Sequence, residues 1–285
     1  MKWRMAPELN VDIIKTTKFL LIGAGTLGCH VSRNLLGWGA RHINFIDCGF
    51  ISYSNPVRQS LYCFSDAKAG NSPKAETAAK ALKEIFPSVH SEGYSFQIPL
   101  PGRKLVDEKA EKNYFEKIEK LENLIKENDL VFLLTDSRES RWFPTVLAKL
   151  HNKICVTAAI GFDSFVVMRH GVKLKENLDA KKINNEKSNE KVNGCYFCND
   201  IVSPVDTSNS RTLDQQCTIS RPGISGICSG FASEIGISMI QKGCGLEDDI
   251  PEIIRGNIKD YNFLKLKLEA SKKYILYLFV NFFFF

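Results

Sequence analysis

The sequence lacks a secretory leader, a membrane-spanning run and any internal repeat. Its first fifteen residues, MKWRMAPELNVDIIK, have no apolar core of the kind that a signal peptide requires. The last twelve, YILYLFVNFFFF, are almost all apolar but fall short of the roughly 20 residues that cross a bilayer. These absences predict a cytoplasmic protein without an integral membrane span, in which cysteines are free, metal-bound or catalytic.

Strong charge of either sign is also missing. The 285 residues carry a formal net charge of +6, and the lysines concentrate only between residues 173 and 191. There they alternate with acidic residues, which weakens any positive field and predicts a mobile, solvated loop at 171–193. Nucleic acid is therefore not an expected partner. With 44% hydrophobic and 25% charged residues, the chain has the composition of a soluble globular protein.

Short apolar runs alternate with helical patterns along the chain. KFLLIGAG and HINFIDCG flank a helical segment from Thr26 to Trp38, which makes one βαβ unit. An amphipathic helix follows Pro73, and DLVFLLTDS, KICVTAAI and GFDSFVVMRHG predict further strands. ISGICSGFASEIGISMIQKG is predicted to be a core helix with small residues. The order predicts an α/β fold, a Rossmann-like, mostly parallel sheet with flanking helices.

A glycine pattern, GAGTLG, lies where the first strand meets the first predicted helix. Gly23, Gly25 and Gly28 let the backbone turn tightly and approach a phosphate, which the helix N-terminus favours electrostatically. Asp47 ends the next strand, where it can accept hydrogen bonds from a ribose. These residues suit a nicotinamide oxidoreductase as well as an ATP enzyme, and a tight turn with a surface aspartate is the structural alternative.

The next polar residues favour ATP. SYSNPVRQSLY carries Asn55 and Arg58, and Lys74 begins the helix after Pro73. An enzyme that splits ATP between its α- and β-phosphates needs cations on both sides of the breaking bond, whereas an oxidoreductase does not. Asp136 follows a strand at the carboxyl edge of the sheet and suits a magnesium ion that bridges phosphates. Taken singly, each is equally compatible with a salt bridge or a helix cap.

One cysteine lies in surroundings that suit neither a core nor a metal pair. Cys217, in RTLDQQCTISRPG, lies between Arg211 and Arg221, whose positive charge favours the reactive thiolate. The residues alone leave its role open, and a free loop thiol is the structural alternative.

Seven of the eight other cysteines divide into a metal pair, core residues and turn residues. Cys195 and Cys198, in CYFC, have the spacing that lets two thiolates share one tetrahedral ion, which is half of a four-cysteine zinc site. Cys29, Cys155 and Cys228 lie in apolar patterns and are predicted to be core. Cys48 and Cys63 follow turns without a base or a metal partner.

Several motifs together resemble the C-terminal adenylation domain of the activating enzymes for the ubiquitin-like modifiers of autophagy. They are GAGTLG, SYSNPVRQSLY, PKAE, DSRESRW, GFDSFVVMRHG, GCYFC and RTLDQQCTISRPG. The resemblance implies a ubiquitin-activating, ThiF- and MoeB-like adenylation fold over residues 18–256. By this resemblance the ATP- and magnesium-binding residues are Gly23, Gly25, Gly28, Asp47, Asn55, Arg58, Gln59, Lys74 and Asp136.

The resemblance also implies an activity and its partners. ATP and Mg²⁺ would serve to adenylate the C-terminal glycine of a modifier with help from Arg58 and Asp136, and Cys217 would then hold that glycine as a thioester. The partners implied are the modifiers, their conjugating enzymes and a second copy of the chain. The implied location is the cytoplasm, including the pre-autophagosomal structure.

The two ends depart from the family pattern. Residues 1–17 are a lead-in where the family has an N-terminal domain that recruits conjugating enzymes. Residues 257–285 diverge, are predicted to be a non-native tail, and contain neither a second cysteine pair for zinc nor an acidic tail. The chain is thus either an active adenylation enzyme weak in partner handling or a non-catalytic partner that only dimerises. An oxidoreductase is the third hypothesis.

Overall fold

A computed structural model describes residues 7–100, 107–171, 194–199, 220–241, 252–259 and 263–269. The strands are β1 (Lys18–Ile22), β2 (His42–Ile46), β3 (Gly93–Tyr94), β4 (Leu130–Leu133), β5 (Ile154–Ile160), β6 (Ser164–Arg169), β7 (Ile253–Lys259) and β8 (Phe263–Glu269). The helices are α1 (Val11–Thr16), α2 (Thr26–Trp38), α3 (Phe64–Lys68), α4 (Lys74–Ile85), α5 (Glu108–Glu127), α6 (Glu139–Leu150), α7 (Tyr196–Asn199) and α8 (Pro222–Gln241). Residues 172–193 of the predicted loop at 171–193 lie outside the described residues.

The strands form one sheet in the order β3-β2-β1-β4-β5-β6-β7-β8. The first five strands in this order pair in parallel, and β5 to β8 pair antiparallel. The predicted α/β, Rossmann-like sheet with flanking helices is therefore confirmed. The sheet continues past the predicted domain end at residue 256, because that residue lies within β7 and β8 pairs with β7 beyond it.

Strands β1, β4 and β5 are buried on both faces, which explains why they are continuous apolar runs in the sequence. Phe19 and Leu21 of β1 belong to a core cluster with α2, α4 and α8 on one face. Leu20 and Ile22, which alternate with them, pack with α5 and α6 on the other. Two helical layers therefore enclose the sheet.

Helix α8 is a core helix, as predicted. Among the described residues it is the one helix long and apolar enough to cross a membrane by length and composition. Its buried side chains, including Ile224, Cys228 and Ala232, belong to the main core. Trp38 of α2 also donates a hydrogen bond from Nε1 to Glu234 Oε1 of α8 at 2.7 Å. Burial in the fold accounts for the apolar composition of α8.

His170, just after β6, is a buried histidine whose neutral form the fold favours. It is 3% exposed, and its Nε2 lies 2.8 Å from Thr157 Oγ1. Burial, with a smaller contribution from the charge of Lys149, lowers the pKa of His170 from 6.5 to about 3. Between pH 6.5 and about 3, His170 is therefore protonated in the unfolded chain and neutral in the folded chain.

We expect this histidine to make the free energy of unfolding fall as the pH drops from 6.5 towards 3. By linkage, the loss attributable to His170 is about 2 kcal/mol between about pH 7.5 and about pH 5. Urea unfolding of His170→Gln at both pH values should show a weaker pH dependence than the wild type. His151→Gln, at a partly exposed histidine 3.0 Å from Glu122 Oε1, is the matched control. Equal pH dependence in wild type and His170→Gln would contradict the account.

Candidate active site

In the glycine turn after β1, backbone segments approach each other more closely than a side chain at these positions would allow. Gly23 has φ +116°, and a Cβ there would lie 2.9 Å from the carbonyl carbon of Leu134. A Cβ at Gly28 would lie 2.1 Å from the carbonyl oxygen of Gly23. A Cβ at Gly25, which precedes α2, would have no neighbouring atom within 4 Å. The N-terminus of α2 is therefore open to a ligand.

Asp47 ties two loops together with one carboxylate. Its Oδ2 accepts a hydrogen bond from the Ala24 N–H at 2.8 Å, in the glycine turn. Its Oδ1 accepts another from the Gly49 N–H at 2.7 Å. A carboxylate has about four acceptor positions, so both oxygens keep capacity for ligand hydroxyls. Asp47 thus holds the shape of the site in addition to its predicted contact with a ribose.

The SYSNPVRQ segment is a turn organised by Asn55. Asn55 is 4% exposed, and its Oδ1 accepts a hydrogen bond from the Ser52 N–H at 3.1 Å. Its carbonyl oxygen accepts from the N–H groups of Arg58 and Gln59 at 3.0 and 2.9 Å. Arg58 then donates from Nη1 to Thr26 Oγ1 at 2.8 Å, on the first residue of α2. Asn55 therefore positions Arg58 through the backbone.

Lys74 is placed by the contacts of its backbone. Its N–H donates to the Gly49 carbonyl oxygen at 2.9 Å. The hydroxyl of Tyr62 lies 3.0 Å from the Lys74 carbonyl oxygen and 2.6 Å from that of Ala24. Tyr62 is 6% exposed, so this buried hydroxyl fixes the start of α4 against the glycine turn.

The loop after β4 carries Asp136 and is held by its own hydroxyl network. Ser137 Oγ donates to Ser140 Oγ at 2.9 Å, and Ser140 Oγ donates to Thr135 Oγ1 at 2.7 Å. Arg141, which is 6% exposed, donates from Nε to the Thr135 carbonyl oxygen at 3.1 Å. The loop is therefore defined before any ligand binds.

These loops surround one cavity of about 470 Å³ at the carboxyl ends of β1, β2 and β4. Ligands bind at this edge in open α/β sheets. The predicted site residues that line it are Gly23, Gly25, Asp47, Arg58, Gln59, Lys74 and Asp136. Gly28 and Asn55 do not line it but shape its walls, as described above. Gln59 is 2% exposed, and its Oε1 accepts no hydrogen bond within the described part of the chain.

Thr26, Cys48, Phe96 and Ile98 are among the lining residues that carry no role in the sequence analysis. Phe96 and Ile98 follow β3, and with Tyr94 they repeat every second residue, which is typical of extended chain. This alternation was the sequence signal from which an extended segment with Phe96 and Ile98 on one face could have been predicted. Thr26 had none, because its contact with Arg58 joins residues 32 positions apart.

The predicted metal pair lies on and beside the short helix α7. The Sγ atoms of Cys195 and Cys198 are 3.9 Å apart, and the Cys198 N–H donates to the Cys195 carbonyl oxygen at 3.1 Å. Between them, Tyr196 lies with its hydroxyl 3.4 Å from Arg141 Nη1. The pair is thus connected to the Asp136 loop. No third metal ligand joins it among the residues that the structure describes.

Three of the other cysteines are buried core residues, as predicted. Cys29, Cys155 and Cys228 are at most 1% exposed. Burial raises the pKa of all three thiols, that of Cys29 to about 12. They are therefore unreactive at neutral pH. Cys217, the predicted nucleophile, lies outside the described residues.

The sheet, the glycine turn and the cavity at the carboxyl ends of the strands define a nucleotide-binding α/β protein. The chain belongs to the ThiF family, whose model matches residues 1–274. Among curated proteins, the ubiquitin-like modifier-activating enzyme ATG7 of Komagataella pastoris is 50% identical over 284 residues, which cover 95% of this chain and 42% of that protein. ATG7 of Yarrowia lipolytica is 50% identical over 272 residues, with the same coverage of 95% and 42%. The chain thus spans about 42% of the length of these relatives.

Solved structures agree on the fold at low sequence identity. The crystal structure of E. coli MccB with ATP has a TM-score of 0.62 and 16% identity, covering 92% of this chain and 66% of that one. The microcin C7 biosynthetic enzyme MccB in complex with N-formylated MccA has a TM-score of 0.63 and 16% identity, covering 93% and 68%. The predicted ThiF-like fold is therefore confirmed.

Proposed function

We propose that this chain activates ubiquitin-like modifiers of autophagy. It adenylates the C-terminal glycine of the modifier with ATP and then holds that glycine as a thioester on Cys217. The observation that carries the proposal is the convergence of seven predicted nucleotide residues on one cavity at the ligand-binding edge of the sheet. The names of the relatives at 50% identity support the choice of substrate. Neither these relatives nor the ThiF family favours an oxidoreductase.

The first step is an attack by a carboxylate oxygen of the modifier on the α-phosphorus of ATP. A bond from this oxygen to phosphorus forms, the bond to the bridging oxygen of the β-phosphate breaks, and pyrophosphate leaves. Arg58 and Lys74 line the cavity as cations that stabilise the negative charge of the departing group. Asp136 is the residue that would hold Mg²⁺, which supplies further neutralisation of phosphate charge.

Two further residues orient the nucleotide. The spare acceptor capacity of Asp47 suits the ribose hydroxyls, because the hydrogen bonds that it accepts within the described part of the chain come from two backbone amides. Gln59 lines the same cavity, which supports its predicted place beside the nucleotide.

The second step transfers the acyl group to sulfur. The Cys217 thiolate attacks the carbonyl carbon of the adenylate, the sulfur–carbon bond forms, and AMP leaves with the oxygen of the broken bond. Arg211 and Arg221 flank Cys217 in sequence, and their charge favours the thiolate. A conjugating enzyme then accepts the modifier on its own cysteine.

We also propose that Cys195 and Cys198 bind a structural zinc ion. Zn–S bonds of about 2.3 Å in a tetrahedron place two sulfurs about 3.8 Å apart. The observed separation of 3.9 Å supports this assignment. The pair supplies two of the four ligands of a tetrahedral site.

A homodimer and a cytoplasmic location, including the pre-autophagosomal structure, complete the proposal. Exposed apolar side chains between residues 50 and 64 support an interface near the cavity. Val57 is 88% exposed, and Tyr53 and Phe64, each 65% exposed, have ring centroids 5.8 Å apart. Neighbouring exposed aromatic side chains such as Tyr53 and Phe64 are typical of an interaction surface.

ATP–pyrophosphate exchange tests the proposed adenylation. Because the first step is reversible, labelled pyrophosphate should enter ATP only when a modifier ending in glycine is present. Exchange with the modifier and none without it is the expected result. A folded chain that binds NAD⁺ in place of ATP, or that binds ATP without exchange, would contradict the proposal.

A further inference from the structure

Tyr62 is a buried tyrosine whose hydroxyl the proposed chemistry does not use. It lies between the Asn55 turn and α3, is 6% exposed, and is not among the described residues that line the cavity. Burial raises the pKa of Tyr62 above its ordinary value, so the hydroxyl stays protonated at neutral pH. Its oxygen lies 2.6 Å from the carbonyl oxygen of Ala24 and 3.0 Å from that of Lys74. Since a hydroxyl has one proton, the shorter contact with Ala24 is the stronger hydrogen bond.

The carbonyl group that Tyr62 holds belongs to the peptide unit between Ala24 and Gly25. Because a trans peptide is planar, its C=O and N–H groups point in opposite directions. The N–H of Gly25 therefore points away from Tyr62, and Gly25 lines the cavity at the N-terminus of α2. The contact with Asp47 does not fix this unit, because the N–H of Ala24 that Asp47 accepts belongs to the preceding peptide.

The backbone of Gly25 allows this peptide unit to turn over. Gly25 has φ −78°, and half a revolution of the unit takes φ to about +100°, which glycine tolerates and other residues rarely adopt. A Cβ at Gly25 would meet no described atom within 4 Å, so packing does not hold the residue. The Cys29 thiol, 3.8 Å from the Ala24 oxygen, is a weak donor. The restraint on this peptide unit therefore falls mainly to Tyr62.

We propose that Tyr62 is a positioning residue for adenylation, which keeps the N–H of Gly25 turned towards the phosphates of ATP. This inference rests on the proposed function, because the ligand is ATP. Helix N-termini bind anions through such N–H groups, whereas a turned-over unit would present a carbonyl oxygen to the phosphates. The same hydroxyl lies beside the carbonyl oxygen of Lys74, the first residue of α4, so two phosphate-binding elements share one fixed point.

Loss of the hydroxyl should affect the phosphates and spare the nucleoside. Without this hydrogen bond the glycine turn samples both orientations, and only the fraction with the Gly25 N–H towards the cavity binds phosphate well. The apparent ATP affinity falls in proportion to that fraction. The ribose contact predicted for Asp47 lies on another loop and does not depend on the orientation of this peptide unit.

The test replaces Tyr62 with phenylalanine, which keeps the ring and removes the hydroxyl, and compares two ligands. ATP affinity is measured by calorimetry, and the affinity for adenosine, which lacks phosphates, by ligand-observed NMR. We expect Tyr62→Phe to weaken ATP binding about five- to tenfold, the effect of one hydrogen bond, with adenosine affinity unchanged. In modifier-dependent ATP–pyrophosphate exchange, the KM for ATP should rise by the same factor while the rate at saturating ATP is retained.

Ser91→Ala is the matched control for Tyr62→Phe. Ser91 is 2% exposed, and its Oγ donates to the Ile43 carbonyl oxygen at 2.5 Å, near the amino end of β2 and away from the cavity. This change also removes a buried hydrogen bond from a hydroxyl to a backbone carbonyl. Both variants should therefore unfold at a lower temperature than the wild type, whereas Ser91→Ala should bind ATP and adenosine as the wild type does.

Three results would overturn the inference. The first is an equal loss of ATP and adenosine affinity in Tyr62→Phe, which would mean that the hydroxyl supports the cavity as a whole. The second is an unchanged ATP affinity. The third is a Tyr62→Phe chain that does not fold, because the hydroxyl would then serve the entire fold. If the wild type binds no ATP, the proposed function itself fails, and that outcome is identified before any variant is made.

Discussion

Replacing Lys74 with alanine is expected to slow modifier-dependent ATP–pyrophosphate exchange by a factor of about 10²–10³. Lys74 lines the cavity at the N-terminus of α4, and its backbone is fixed by Gly49 and Tyr62. A cation placed in this way stabilises the charge that develops on the departing pyrophosphate. Exchange rates at saturating ATP, with thermal unfolding to confirm the fold, measure the effect.

The same helix offers a matched control for Lys74. Lys80 is an exposed residue of α4, and its Nζ lies 3.8 Å from Glu84 Oε1 in a surface pair. Lys80→Ala removes the same charge from the same helix outside the cavity, and its exchange rate should remain near that of the wild type. A similar fall in both variants would assign the effect to net charge rather than to the position of Lys74.

Replacing Asp47 with alanine is expected to remove ATP binding and to lower the free energy of unfolding by about 3 kcal/mol. The change leaves the N–H groups of Ala24 and Gly49 without the acceptor that joins their loops. Because one of these loops is the glycine turn, the cavity should lose its shape as well as its ribose contact. Urea unfolding and calorimetric ATP titration measure the two effects.

Asp129 provides the comparison for Asp47. Its Oδ2 accepts a hydrogen bond from the Lys18 N–H at 2.8 Å, at the amino end of β1. Asp129→Ala removes a similar carboxylate–amide contact at the opposite edge of the sheet, so it should lower stability while ATP affinity stays unchanged. If Asp47→Ala binds ATP as tightly as Asp129→Ala does, the assignment of the site is wrong.

Local patterns were sufficient to predict most of the fold. The apolar runs of β1, β4 and β5 are buried on both faces, and such runs can be recognised in sequence without knowing their neighbours. The glycine turn is equally local, because Gly23 and Gly28 are close in sequence as well as in space.

Helix α5 was missed because its apolar stripe is sparse. Leu121, Leu124 and Ile125 are its buried residues, and charged residues fill most of the rest of its length. The signals were present: Asp107 Oδ1 accepts from the Ala110 N–H at 2.6 Å as an N-cap, and the buried positions are spaced three and four apart.

Contacts between loops that are far apart in the chain could not be predicted from local sequence patterns. The carboxylate of Asp47 accepts a hydrogen bond from a backbone amide 23 residues away. Its role in joining the two loops could therefore not be inferred from local spacing. Asn55 was predicted to contact the triphosphate, a role that stays a prediction, whereas the structure shows it organising the turn that carries Arg58. Cys48 had been assigned to a turn without chemistry, and only the closure of three loops places it at the cavity wall.

The central claim, that the chain both adenylates and captures a modifier, is tested most directly on a non-reducing gel. Wild type and Cys217→Ala are incubated with Mg–ATP and an autophagy ubiquitin-like modifier ending in glycine. The account predicts an ATP-dependent adduct that thiols release from the wild type and that is absent from Cys217→Ala. The absence of an adduct from folded wild-type protein that binds ATP would contradict it and favour a non-catalytic partner.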